Sequence, residues 1–202
     1  MTAAAPGAGQ GAAVVAALCA FAGGCGAAPG PAAPATAACA GAIMITSQAQ
    51  IDALATCRRL DAVTVRTAAP IDLAGLAALD EIAGDLVIGP TTALDTIRLP
   101  ALRRVGGAVR VMSNGLTTGA YLPALEHAGA IAIEANPSLT EVVLGALVDV
   151  DGAVALRGNA VLELIEASGL QRVGGAIEIT RRDHVTVFSD VLDAAAPAAP
   201  AP

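Results

Sequence analysis

The chain predicts a solenoid that is α/β by content and mostly β: one right-handed β-helix domain of about six leucine-rich-type coils, with an N-terminal capping helix. Three observations carry that expectation. A segment of roughly 23 residues recurs along most of the chain. Each copy holds an apolar-x-apolar pair, and a corner of small residues precedes most of the pairs.

The copies are read directly off the sequence. From Asp80 it runs DEIAGDLVIGPTTALDTIRLPAL, from Arg103 RRVGGAVRVMSNGLTTGAYLPAL, and from Glu126 EHAGAIAIEANPSLTEVVLGAL. Two more begin at Val148 and Gln171, and a less regular one runs from Cys57 to Leu79. The pairs are Val63 and Val65, Leu86 and Ile88, Val109 and Val111, Ile131 and Ile133, Val154 and Leu156, and Ile177 and Ile179. Alternation points both members of a pair to one face of a strand. Copies running in one direction then stack these strands in parallel, about 4.8 Å apart.

Small residues at Ala83-Gly84, Gly106-Gly107, Gly129-Ala130, Asp151-Gly152 and Gly174-Gly175 mark the corners, where glycine is expected to supply positive φ. Asn114, Asn136 and Asn159 each follow the second strand position by three residues and predict a structural ladder, each amide bonding a turn and the next coil. Leu94, Leu116, Leu139 and Leu162 are expected to turn back into the core, as are Leu102, Leu125, Leu147 and Leu170.

Ahead of the repeats, Ile43 and Ile45 read as one more strand, and Ser47-Gln48-Ala49-Gln50 as a capping box opening a helix that includes Ile51 and Leu54. A solenoid exposes an apolar layer and a strand edge at its first coil unless something covers them, so this helix is expected to be the lid.

Composition suits thin aliphatic layers. In 202 residues there is no Trp, one Tyr and two Phe, so Ala, Val, Leu and Ile must build the core. The formal charge is -7 and every basic residue is Arg, which leaves little for a track along a phosphate backbone and excludes nucleic acid as the expected partner.

The first residues are nearly all Ala, Gly and Pro around one apolar run, Gly11 to Ala22, too short to span a bilayer but suited to a signal-peptide core. It ends at Ala22-Gly23-Gly24-Cys25, which resembles the lipobox of bacterial lipoproteins. That resemblance implies a signal peptide over 1–24, acylation of Cys25 and an outer-membrane lipoprotein of the cell envelope. A secreted protein cleaved without acylation is the alternative. Residues 25–38 read as an Ala/Pro linker, 39–192 as the solenoid and 193–202 as a disordered tail. With Cys19 in the leader and Cys25 lipidated, Cys39 and Cys57 remain as an even pair, read as a disulfide in an oxidising compartment.

A Cys before the first strand, a helix ending in a second Cys, and coils of the form V-G-G-x-apolar-x-apolar-x-x-N followed by Leu, as in Val105 to Leu116, together resemble the receptor L domain. The resemblance covers Cys39 to Leu192 and implies a right-handed β-helix of the kind found in extracellular parts of insulin-receptor-like and growth-factor-receptor-like proteins. The cysteine-rich modules, spanning helix and kinase of those receptors have no counterpart here, so hormone binding does not carry over.

Chemistry is hard to find in the residue pattern. His127 falls in a row with Glu81, Arg104, Asp149 and Arg172, which reads as a solvated charge ladder rather than acid–base machinery. His184 lies in the irregular stretch Thr180 to His184, where Arg181 and Arg182 offer an anion contact. No metal-ligand or nucleophile motif appears, so no cofactor, no metal and no catalysis are expected. The expected working surface is the strand face. One outward row holds Thr64, Val87, Arg110, Ala132, Ala155 and Glu178, and the next holds Arg66, Gly89, Met112, Glu134, Arg157 and Thr180. Arg110, Met112, Glu134 and Arg157 should make one patch, binding a protein or glycan at the cell surface. Pairing of Glu134 with Arg157 is the plainer reading of the same residues. A structural spacer and, behind it, a polysaccharide-acting β-helix enzyme are the other functions weighed.

Overall fold

The apolar pairs do what alternation requires. In a computed structural model that describes residues 39–180 and 184–195, all members but the half-buried Ile177 bury their side chains, and the pairs stack coil on coil. Val63 pairs with Leu86, Leu86 with Val109, Val109 with Ile131, Ile131 with Val154 and Val154 with Ile177, all in parallel. The result is a parallel β-solenoid of about six turns with a small helix at its N-terminal side.

Each coil contributes to three faces. The first carries short strands at Arg59–Leu60, Glu81–Ile82, Asp149–Val150 and Arg172–Val173, and in the central coils it is the beginning of Arg104–Met112 and of His127–Glu134. The second carries the apolar pairs, from Ala42–Ile45 through Ala62–Thr67, Leu86–Thr91, the remainder of the two long strands and Val154–Arg157 to Ile177–Ile179. These two faces form one 11-stranded sheet. The third is a separate five-stranded sheet of Thr96–Arg98, Gly119–Tyr121, Glu141–Val143, Leu164–Glu166 and Thr186–Phe188. One residue of each of its strands points inward: Ile97, Ala120, Val142, Ile165 and Val187.

The core between the faces is aliphatic throughout, and Leu102, Leu125, Leu147 and Leu170 close each copy as expected. A fully buried Leu or Ile is worth roughly 1.5–3 kcal/mol over its exposed state, so many thin layers replace the few large aromatic contacts of an ordinary core.

At the N-terminal end helix α1, Gln48–Ala53, begins after Ser47, whose N–H donates to the Gln50 side chain at 3.2 Å. Gln50 in turn donates to the Met44 carbonyl at 3.2 Å, tying the helix to the first strand. Ile51 and Leu54 are buried, and Ile51 packs so closely on the 3-10 turn Leu73–Leu76 that a side chain at Gly75 would strike it. The lid is stapled by a Cys39–Cys57 disulfide with Cα atoms 5.6 Å apart. Closing a loop of that separation, 18 residues, is worth about 3 kcal/mol in the chain-entropy model.

At the other end the last coil is less complete. Its core-facing Val173, Ile177 and Val187 are only half-buried, and helix α2, Asp190–Ala195, covers part of them with the buried Leu192. The helix runs three residues past Leu192. The leader, Cys25, Arg181, Arg182 and the final residues lie outside the described residues.

Two expectations need correction. The corner glycines do not adopt positive φ; among the described residues that conformation belongs to Gly41, Gly89 and Gly158 and to the non-glycines Ser113 and Ala135. What excludes a side chain at the corners is the neighbouring coil. A Cβ at Gly106 would collide with the Ala83 carbonyl, at Gly129 with the Gly106 carbonyl at 2.6 Å, and at Gly174 with the Asp151 carbonyl. Parallel backbones approach there more closely than any side chain allows.

Leu116 is the second correction: it is 54% exposed rather than a core residue. The inward position lies three residues after each Asn, not two, and in this coil Thr117 occupies it, fully buried, with its hydroxyl donating to the Leu94 carbonyl at 2.7 Å. Leu94, Leu139 and Leu162 hold the same position in their coils and are buried.

Candidate functional site

A polar ladder lies beside the strand face and ties neighbouring coils together. Asn114 and Asn136 are fully buried, and Asn159 is half-buried. Asn136 donates from Nδ2 to the Val111 carbonyl at 3.0 Å and to Asn159 Oδ1 at 3.2 Å, while its own Oδ1 accepts the Asn114 backbone N–H at 3.1 Å. Asn159 donates to the Ile133 carbonyl at 2.9 Å and accepts the Asn136 N–H at 3.1 Å. The ladder has one more rung than the three Asn suggest, because the buried Thr91 hydroxyl donates to Asn114 Oδ1 at 2.8 Å. The residue just before each Asn, Ser113, Ala135 or Gly158, takes the left-handed conformation with φ of 57°, 55° and 69°. That turn aims the amide inward.

Immediately before this ladder lies the outward patch. Met112, Glu134 and Arg157 are register partners on consecutive rungs, and Arg110 stands two residues before Met112 on the same strand, facing outward beside Ala132. The Arg157 guanidinium bridges two coils: Nη2 lies 2.7 Å from Glu134 and Nη1 lies 2.9 Å from Glu178. Its pKa is raised, chiefly by the hydrogen bond to Glu134. Glu178, from the outward row that holds Arg110, is thus part of the patch. Arg110 is exposed and makes no ion pair among the described residues. The upper end of the row is closed off by Gly89, whose φ of 123° and tight approach to the Met112 carbonyl leave no room for a side chain.

On the first face the expected charge row, Glu81, Arg104, His127, Asp149 and Arg172, is in register, and Arg59 extends it by one coil. Arg59 pairs with Glu81 at 3.1 Å and Arg172 with Asp149 at 2.8 Å. The hydrogen bond from Arg172 holds the Asp149 carboxyl below the ordinary aspartate range. His127 does more than stand in the row, since Nδ1 is 3.4 Å from Asp149 and Nε2 is 3.4 Å from Asp151. One ligand-type atom from each of these three residues falls within 4.8 Å of the others. Arg172 on Asp149 places a fixed positive charge beside that cluster and opposes a cation there.

On the third face Tyr121 donates its hydroxyl to Glu141 at 2.7 Å and lies 4.9 Å from the Arg98 guanidinium. The hydrogen bond to Glu141 raises the Tyr121 pKa. Nothing in the repeat pattern marks this trio. The signal available in the sequence was composition: an aromatic residue is rare in this chain.

The fold and its faces define a class, a disulfide-stapled parallel β-solenoid with a polar ladder inside and a mixed-charge strand face outside. The disulfide is consistent with an extracytoplasmic protein. No family model, curated protein or solved structure matches the chain.

Proposed function

We propose that the chain is a non-catalytic recognition module of the receptor L domain type, exported and displayed at a bacterial cell envelope through lipid on Cys25. Its working surface is the second face, with Arg110, Met112, Glu134 and Arg157 meeting a protein or glycan. The observation that carries the reading is the consecutive alignment of Met112, Glu134 and Arg157, with the unpaired Arg110 beside them. Packing and the Asn ladder hold the backbone beneath, so a partner would meet a surface already ordered, which lowers the entropy lost on binding. Met adapts to a partner's shape and Arg is enriched at binding hot spots. The non-catalytic reading is supported by His127, whose two nitrogens face Asp149 and Asp151 and not a nucleophile.

A photo-crosslinking amino acid at Met112, used in intact cells, tests the face. A discrete adduct from Met112 and none from the more exposed Leu116 is expected; adducts alike from both positions would reject the face. Cys25→Ser is expected to move the protein from the membrane fraction to the soluble fraction, and equal retention of both forms would reject the anchor.

A structural spacer is the second reading, favoured by one observation: Arg157 already satisfies itself between Glu134 and Glu178. In that case the charged groups of the face join coil to coil and await no partner.

A further inference from the structure

The chain builds its core from aliphatic residues and places its aromatic ones elsewhere. Tyr121 and Phe188 are the aromatic side chains among the described residues, and both stand on the same outward row of the third face. That row runs through register partners Arg98, Tyr121, Val143, Glu166 and Phe188. Phe188 is 56% exposed on the last strand of the sheet. Leaving a phenyl ring in water forgoes the stabilisation that burying it would give, and an exposed aromatic on an ordered strand is characteristic of contact surface.

Beside Phe188 an open groove of about 500 Å³ is lined by Glu141, Glu163, Leu164, His184, Thr186 and Phe188. Two of its walls, Glu141 and Glu163, are carboxylates. Glu141 is fixed in place by the Tyr121 hydroxyl, and the Tyr121 ring is laid down over Gly119, where any Cβ would overlap it. The Arg98 guanidinium lies over the Tyr121 ring and is not among the residues that line the groove.

We propose that this groove is a second binding site, separate from the Met112 face, and that it takes a Lys or Arg side chain of a partner protein. The groove matches both ends of such a side chain. Carboxylates at Glu141 and Glu163 accept charge-assisted hydrogen bonds from an ammonium or guanidinium group. The Phe188 ring offers its face to the same cation, and Leu164 offers an apolar wall to the aliphatic stem.

The test uses a fluorescent Gly-Lys-Gly-Lys-Gly-Lys peptide, its lysine-acetylated form, an octaglutamate peptide and cellohexaose, each titrated against the whole protein. The lysine peptide is expected to bind and the acetylated form to bind at least about tenfold more weakly, the size of one lost charge-assisted bond. Glu141→Gln, Glu163→Gln and Phe188→Ala are each expected to weaken the lysine peptide several-fold. Asp80→Asn and Glu126→Gln remove the same charge outside the groove lining, where they pair with Arg103, and are expected to leave binding unchanged. Equal weakening by the Asp80 and Glu126 variants would reduce the effect to net charge and overturn the proposal. So would undiminished binding by Phe188→Ala or by the acetylated peptide. Binding of octaglutamate or cellohexaose in preference to the lysine peptide would assign the groove to an anionic or glycan partner and overturn it as well.

Discussion

Asn136 Oδ1 accepts both the backbone N–H and the side-chain Nδ2 of Asn114, each at 3.1 Å, so two coils are joined through one buried oxygen. Because Asn136 is fully buried, water cannot replace it. Asn136→Ala is expected to destabilise the protein by about 1 to 3 kcal/mol, the penalty for a stranded buried polar group. Asn159→Ala should lower stability less, because that side chain is half-buried. Chemical denaturation of the two variants checks the order, and equal small effects below about 0.5 kcal/mol would place the ladder in contact with solvent.

The left-handed residue before each Asn gives an opposite, stabilising prediction. Ala135 holds a φ of 55° and Gly158 a φ of 69° at equivalent positions. A left-handed conformation costs a non-glycine residue about 1–2 kcal/mol, against roughly 0.5–1 kcal/mol of extra backbone entropy for glycine. Ala135→Gly is therefore expected to raise the melting temperature and Gly158→Ala to lower it. Shifts in the same direction for both would contradict the assigned turn.

Register can be tested at the misread position. Leu116→Ser should change stability by no more than about 0.5 kcal/mol, as for other surface substitutions. Thr117→Ala removes a buried hydroxyl bonded to the Leu94 carbonyl and should cost about 1 kcal/mol or more. Thermal denaturation of the pair decides between the two registers, and a larger loss from Leu116→Ser would restore the sequence-based one.

That error shows what the sequence could and could not disclose. The second face was legible because its strands bury two residues each, and period-two alternation such as Val109-Arg110-Val111 is visible without a structure. The third face was not, because Thr96–Arg98 and its counterparts are three residues long and turn a single large side chain at most inward, which leaves no period to detect. Leu116 was misplaced because a Leu beside the ladder looks apolar enough to be core, whereas the buried Thr117 satisfies its hydroxyl on the previous coil. Glycine at the corners was found for the wrong reason: sequence reveals that no side chain fits but not whether φ or a neighbouring carbonyl excludes it. For the candidate patch, the row Met112, Glu134 and Arg157 followed from spacing alone. The reach of Arg157 to Glu178 did not, because it crosses from one row to the other.

The Arg172–Asp149 pair predicts a pH dependence with a definite sign. The folded Asp149 carboxyl is depressed below its unfolded value, about 3.9 for an ordinary aspartate, mainly by its hydrogen bond to Arg172. Its contribution to stability is therefore present in full above that value and is lost as pH falls through the lower, folded one. Carboxyl NMR titration of Arg172→Gln is expected to move Asp149 upward toward the ordinary range. An unchanged titration would mean that another group sets it.

The central claim is that the second face recognises a partner, and matched substitutions test it most directly. Met112→Asp and Arg157→Glu alter the face; Leu116→Asp and Arg103→Glu make the same chemical changes at exposed positions elsewhere. With melting temperatures confirmed, each variant is measured against the partner that crosslinks at Met112 in intact cells. The face variants are expected to lose that binding while the matched pair retains it. Equal binding by all four, at native strength, would contradict recognition through this face and leave the coils as a spacer.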